Sequence, residues 1–555
     1  MMLIKNKLQL QIIGVILLSA FSSFSRSMRD QQLNMPDNGR KIVNIVNFIR
    51  LLEPRDAKIT QDVLYQTVVS QVEIMKKYKL PGTFLLQYDA LMDPRYQKLL
   101  TALPKESFEI GAWWELPQPL IEKAGIKWRG KYAWDWHSDV GFSVGYTPAE
   151  REKIIDVYFA DFKKIFGYYP KSVAAWVVDA HSLNYMYDKY KIVATANCKD
   201  QVGTDGFTLW GGYWNQAYYP SRVNAYMPAQ NAEKQLPVPV FRMLGSDPIR
   251  QYADGRSVTT LEPVYPHAGG NEQWINWFFQ TFSNDPSLGF NYTQAGQENS
   301  FTWEAMKKGL EIQMPIIAKM RAQGEVYVET MAESGRWFKK TYKVTPATTF
   351  TVTKDLDNSD KKTIWYNSRF YRLNILWENG SMRITDIHLF NEEIPDKYLT
   401  GVTTTNQSFF YTLPVVEGFL WGKTGSPAGI ELMNNKEGKE EPIKGGNPIF
   451  TNPNKNTAHV SWPVDNGSFE IDLKENSIVI TRKGVKREDW FFDLKVTNQT
   501  ELPLADIQTD HIDYIFDNHP YKLVAINGSF EKPANSSVFR IKPKGDIVIL
   551  KLKDQ

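Results

Sequence analysis

Cysteine is nearly absent from this chain of 555 residues; Cys198 stands alone. That count excludes a disulfide framework and a thiolate zinc site. Histidine is sparse, with seven residues, and none forms a His-Glu-x-x-His pair. A Gly-rich phosphate loop and a Gly-x-Ser-x-Gly elbow are missing as well. Charge of one sign is not in excess: 65 Lys and Arg face 62 Asp and Glu, a formal net charge of +3. A nucleic-acid partner is therefore not expected, since its binders are visibly basic. After the first residues, no apolar run approaches the ~20 positions that a membrane-spanning helix needs. Internal repeats and low-complexity segments are lacking too.

The chain is rich in aromatic residues, with 17 Trp, 27 Tyr and 30 Phe making up 13% of it. The rest is ordinary globular composition, 42% hydrophobic and 23% charged. At ~100–200 residues per domain, the length suits two to four domains, or one large barrel with a companion. In the opening MMLIKNKLQLQIIGVILLSAFSSFSRS, Lys5 and Lys7 precede an apolar run from Leu8 to Phe21, and Ser23 and Ser25 follow. This is the pattern of a secretory signal peptide over 1–25. A secreted or periplasmic protein is expected, with no lipobox cysteine and no stable membrane insertion after cleavage.

From residue 41 to about 330, buried-type β runs alternate with helical stretches. Strand candidates lie at 41–49, 82–88, 108–114, 172–178, 192–198, 239–245 and 288–294, with a short eighth run at 325–330. Helical spacing is clear over 61–79, and Thr147-Pro148-Ala149-Glu150 starts another helix. Alternating β and α over this length predicts an α/β fold, an incomplete (β/α)7 barrel over 38–340. After Phe338 the runs are β throughout. Asn-Gly pairs at 379–380, 466–467 and 527–528 each sit between β runs and signal hairpins. An all-β sandwich is expected over 345–555.

A parallel barrel works at the carboxyl ends of its strands. Arg50, Glu53 and Arg55 follow the first strand candidate, Gln87 and Asp89 the second, and Trp113, Trp114 and Glu115 the third. Asp179 and His181 follow the fourth, Lys199, Asp200 and Asp205 the fifth, Asp247 the sixth, and Gln297 and Glu298 the seventh. Eleven of the 17 Trp fall between 113 and 303. Trp faces stack on sugar rings while carboxylates bind hydroxyls, so the combination suits a carbohydrate cleft; each Trp taken singly fits the core equally well. Trp134, Asp135 and His137 add to the set. The loop over 197–222, with Asp200, Asp205, Trp210, Trp214 and Arg222, is too long for a connector. It reads as a substrate-binding wall, or else as a lid against the sandwich. Arg50, Arg55 and Arg222 suit an acidic sugar group or internal ion pairs. Cys198, at a strand end, reads as packing rather than as a nucleophile.

The run from GYTPAEREKII through FKKIFGYYPKSVAAWVVDAHSLNYMYDKYKIVA resembles the middle of a polysaccharide deacetylase domain. FEIGAWWELPQP resembles the strand of that domain that ends in a His-rich metal motif. The resemblance covers about 40–340 and implies the seven-stranded barrel of the glycoside hydrolase/deacetylase superfamily. Asn47-Phe48-Ile49-Arg50 stands where that domain has its Asp pair, and Trp113 and Trp114 stand where it has metal-binding His. Trp176-Val-Val-Asp179 is similar to the nucleophile segment of glycoside hydrolase family 57, whose general acid follows the seventh strand, near Glu298 here. Inverting sialidases with related barrels pair Asp with His, which implies a role for His181. The β-rich tail is similar to the sandwich behind the barrel of some α-mannosidases.

The expectation is an exported glycoside hydrolase that acts on a poly- or oligosaccharide without a metal or other cofactor. Asp179 is expected as nucleophile or base and Glu298 as acid, with His181 beside them and Asp247 as a substitute acid. Arg50, Glu53, Arg55, Trp113, Glu115, Trp134, Asp135, His137, Asp200, Asp205, Trp210, Trp214 and Arg222 are expected to bind substrate. The alternatives are a metal-dependent carbohydrate deacetylase or esterase, and a catalytically silent glycan-binding protein.

Overall fold

The computed structural model describes residues 39–253, 259–484, 489–498 and 500–553, and the expected signal peptide lies outside the described residues. Five strands open the barrel: β1 (Arg40–Ile49), β2 (Gly82–Leu86), β3 (Phe108–Trp113), β4 (Ser172–Ala174) and β5 (Ala194–Asn197). Three short strands follow, β6 (Gln201–Thr204), β7 (Phe207–Trp210) and β8 (Ala217–Tyr218). β9 (Val240–Arg242), β10 (Phe290–Ala295) and β11 (Tyr327–Glu329) complete this region. The sheet order is β10-β1-β2-β3-β4-β5-β9-β8, parallel except for the last pair. The seven expected strands thus form one sheet. The eighth run, β11, pairs with residues 42–44 of β1, just below the stretch that pairs with β2.

The sheet nearly closes. Between β9 and β10 a single residue replaces a ladder. The Gln216 backbone carbonyl accepts from Arg242 N at 3.0 Å, while its side-chain Nε2 donates to Asn291 Oδ1 at 3.3 Å and its Oε1 accepts from the Tyr292 backbone N–H at 2.8 Å.

Strand alternation sorts the barrel into two apolar layers. Ile42, Val46 and Phe48 point inward with Leu85, Trp113, Ala174, Ala196, Phe241 and Tyr292. Val43, Ile45, Ile49, Phe84 and Leu86 point outward under the helices. The helix Gln61–Lys77 is capped by Thr60, whose side chain accepts from Val63 N. The helix Pro148–Phe166 carries the expected capping box between Thr147 and Glu150 and ends at Gly167, where φ is 84°.

The last barrel helix ends at Thr341, and the first strand of the β-rich half starts at Thr348. That half contains a ten-stranded and an eight-stranded antiparallel sheet across one core, with Trp377, Trp462, Trp490 and Leu523 inside. Asn379-Gly380, with φ of 53° and 68°, makes the expected tight hairpin between Tyr371–Glu378 and Ser381–Leu389. Asn466-Gly467 closes the hairpin between Thr457–Val464 and Gly467–Lys474. The third pair departs from expectation. His519–Asn527 belongs to the eight-stranded sheet and Ser529–Glu531 to the ten-stranded one. Gly528, at φ of 108°, is therefore a crossing between layers rather than a hairpin turn.

Candidate active site

The same alternation decides which side chains reach the barrel mouth. Phe48 points inward, so Arg50 continues its row; Leu85 leads to Gln87, and Trp113 leads to Glu115. Asn47, of opposite parity, faces the helix layer and bonds Met75 at 3.4 Å.

The Arg50 guanidinium organises the mouth. Its Nε and Nη2 fork onto Glu115 at 2.7 and 2.6 Å. Its Nη1 donates to Glu298 Oε1 at 3.1 Å and lies 3.9 Å from Glu53. Gln87 donates to Glu115 at 3.1 Å, Ser300 donates to Glu298 at 2.7 Å, and the Trp134 ring lies 5.2 Å from the guanidinium carbon. A bidentate Arg–carboxylate pair fixes geometry as well as charge. Burial pushes the Glu298 carboxyl up to about 7; Arg50 opposes the rise and the Glu115 charge adds to it. Burial also pushes Asp89, beside Glu115, up to about 7.

Toward solvent, Arg55 forks onto Glu53 at 2.7 Å, reaches Asp205 at 3.2 Å and lies over the Trp136 ring at 5.2 Å. Asp135 and His137, paired at 2.6 Å, stand next to Trp136. On the other wall is Glu262, which accepts from Gln297 Nε2 at 3.0 Å and from Thr260 Oγ1 at 2.8 Å. Burial raises the Glu262 pKa and the Lys199 ammonium opposes the rise. Gln297 Oε1 accepts from the Glu298 backbone N–H at 2.8 Å, so one amide links the two acidic positions. Tyr265 lies within electrostatic reach of both.

The floor is aromatic. Phe48 and Trp113 stack at 4.1 Å, and Trp176 meets Trp113 edge-on at 5.2 Å. Several barrel residues carry buried polar atoms without a protein partner, among them Nε1 of Trp113 and Trp134, Gln87 Oε1, Asn197 Oδ1 and both amide atoms of Gln294. Buried polar groups are nearly always hydrogen-bonded, so these atoms are available to polar ligand atoms or water.

Arg50, Glu53, Arg55, Trp113, Glu115, Trp134, Asp135, His137, Asp205 and Glu298 thus come together. Other expected site residues lie elsewhere. Asp179 caps the helix Ala180–Tyr190 and accepts from Ser143 Oγ at 2.6 Å, from Ser182 N and Oγ at 2.8 and 2.7 Å, and from Arg151 Nη1 at 3.0 Å. Both it and Arg151 are 0% exposed, so its oxygens face no cleft. Asp247 caps Ile249 and Arg250, both at 2.8 Å, and takes the Trp274 N–H at 2.8 Å. His181 pairs with Glu152 at 3.1 Å on a helix surface, and Arg222 pairs with Asp188 at 3.3 Å.

The long loop divides. β7 pairs in parallel with Ser408–Tyr411 of the β-rich half, Trp210 donates to Glu417, and Trp214 stacks on Trp365 at 4.4 Å and 4°. Asp200 is buried between Arg242, at 2.8 Å, and Arg372. These three residues dock the loop on the sandwich, while Asp205 alone of the expected set reaches the mouth.

Sequence reading placed Lys199 past the fifth strand without giving it a role, and missed Glu262, Tyr265 and Gln294. Glu262 lies in an irregular loop well past β9 with no periodicity to place it. Gln294 carried a legible signal, since it shares inward parity with Tyr292. Cys198 is buried, and burial pushes its thiol up to about 12. We expect it to resist a disulfide reagent in the native protein and to react on unfolding, measured by thiol titration with and without denaturant.

No family model matches the sequence, and no curated protein matches it. Solved structures do match. A protein from Parabacteroides distasonis described as a glycoside hydrolase/deacetylase is similar with a TM-score of 0.50 and 16% identity, over 68% of this chain and 89% of that one. The chain has the glycoside hydrolase/deacetylase fold. A Mycobacterium smegmatis protein described as a polysaccharide deacetylase is similar over 55% of this chain and 93% of its own, at 13% identity and TM-score 0.36. A 4-alpha-glucanotransferase from Thermococcus litoralis is similar over 93% and 98%, at 9% identity and TM-score 0.32. At 16% identity the first of these likenesses is one of fold. Within the glycoside hydrolase/deacetylase fold, a divalent metal does not fit this mouth. Arg50 puts a fixed positive charge between Glu53, Glu115 and Glu298, and Trp113 and Trp114 stand where the resemblance calls for His ligands.

Proposed function

We propose that the protein is a carbohydrate-active enzyme that cleaves a glycosidic bond at the barrel mouth. Glu298 is the proton donor and Glu262 the second carboxyl group. The observation that carries this reading is the buried Glu298 carboxyl at the mouth, whose Oε1 is held by Arg50 and Ser300 while its Oε2 accepts no hydrogen bond; burial raises its pKa to about 7. Glycoside cleavage needs such an acid to protonate the leaving oxygen, and a second carboxylate to attack the sugar carbon or activate water. Glu262 takes the second role because Gln297 ties it to the acid and Thr260 holds its other side; burial raises its pKa, and the nearby Lys199 charge opposes that rise. Glu115 is a positioning residue that holds Arg50. The unpartnered atoms of Trp113, Trp134 and Gln294 supply donors and acceptors for sugar hydroxyls, and the Trp rings supply stacking faces. The signal-peptide pattern over 1–25 supports a site of action outside the cytoplasm.

The test is incubation of the protein with plant, algal and host glycans and measurement of released reducing ends. On the substrate found, Glu262→Gln is expected to lower kcat by ~10²-fold with the fold retained. Full turnover by that variant would remove Glu262 from the mechanism.

A further inference from the structure

A second cavity, of about 440 Å³, opens in the sandwich beside the docked loop. Ligand pockets span ~300–1,000 Å³, so this one is large enough for a small molecule. Trp210, Tyr411, Trp421 and Phe516 supply aromatic walls, and His388 and Glu417 are among the groups at its polar side. Glu501 and Asp517 also line it, and no Lys or Arg is among the described lining residues. Lys397 pairs with Asp517 at 2.9 Å.

The polar side is tightly built. His388 Nδ1 bonds Thr412 Oγ1 at 2.9 Å, and its Nε2 lies 3.1 Å from Glu417 Oε2, which also takes the Trp210 N–H. Burial pushes His388 down to about 4, so the ring is neutral at physiological pH and does not repel a cation. Behind it, Arg372 forks onto Asp386 at 2.9 and 2.8 Å. Asp386, His388 and Glu417 place ligand atoms within 4.8 Å of one another. A metal ion is nonetheless disfavoured, because N–H donors already engage both carboxyl groups at the places where an ion would need lone pairs: Trp210 and Phe419 on Glu417, and Arg372 on Asp386.

Burial pushes Glu417 up to about 7, so its charge is present above that value, while Glu501 and Asp517 line the same cavity. Aromatic faces joined to carboxylates are the chemistry that receives an organic ammonium group. We propose that this cavity binds a small organic cation, an ammonium carried on an apolar or sugar-like frame, independently of the barrel mouth.

The experiment is calorimetric titration of the whole chain with glucosamine, glucose, tetramethylammonium and zinc ion, with tryptophan fluorescence read in parallel. Saturable binding of glucosamine with none of glucose supports an amine-bearing sugar. Equal binding of tetramethylammonium supports a general ammonium site. Glu417→Gln is expected to weaken binding at least about tenfold, equivalent to ~1.4 kcal/mol. Glu501→Gln, at the edge, is expected to weaken it less and serves if the first variant does not fold. Three results would overturn the proposal: glucose binding as tightly as glucosamine, no saturable binding of either ammonium compound, or a zinc affinity that His388→Ala abolishes.

Discussion

Glu298→Gln is expected to lower glycan cleavage by ~10²–10⁴-fold, the contribution of a positioned general acid. The amide keeps the shape and the contacts with Arg50 and Ser300, but it has no proton to give. Stability, read by denaturant unfolding, is expected to change little or to rise, since the substitution removes a buried carboxyl. The pH profile of the wild type gives the same residue a second signature. Burial raises the Glu298 pKa to about 7, so the acid is present below that value and lost above it. kcat/KM is therefore expected to fall as pH rises through about 7. A profile that stays flat to pH 9, or a Glu298→Gln variant with normal turnover, would remove the acid role from this residue.

The second large effect is on stability. Asp179→Ala is expected to destabilise the protein by about 3–5 kcal/mol, because it leaves the buried Arg151 charge without its carboxylate. Arg151 is held from several other sides: it donates to the Ser143 and Tyr146 carbonyls at 2.8 and 2.7 Å and to those of Tyr398 and Gly401. Those carbonyls supply partial charges but no full counter-ion. The same change removes the cap of the helix Ala180–Tyr190, a further ~1 kcal/mol. The measurement is the unfolding midpoint of the variant against wild type. Residual activity per folded molecule is expected to stay near normal. A variant of wild-type stability that had lost all turnover would return Asp179 to the chemistry.

These two carboxylates show what chain position conveys and what it does not. Both stand shortly after a barrel strand, and a reading by position alone treats them alike. Glu298 follows the inward row of β10 and meets Arg50 across the mouth. Asp179 follows β4 by several residues and is drawn to the helix N-terminus, whose backbone N–H groups seek an acceptor. The long loop teaches the same lesson. Its aromatic content suits a sugar cleft, yet Trp210 and Trp214 are taken up by Glu417 and Trp365 of the sandwich. Those partners lie more than 150 residues away in the chain.

The sequence by itself determined the barrel strands, their helices, two of the three Asn-Gly hairpins and the change to β structure near 345. Those features arise from contacts between near neighbours: side-chain periods of 2 and 3.6, end caps, and turn residues with positive φ. It also determined that Arg50, Gln87 and Glu115 share the inward parity of their strands. Only the tertiary structure decided that these side chains meet at one guanidinium, that Glu262 faces them from an aperiodic loop, and that Asp179 is sealed against Arg151. Those outcomes depend on which distant segments exclude water from each carboxyl group and what charge they bring with them, and local sequence does not encode either.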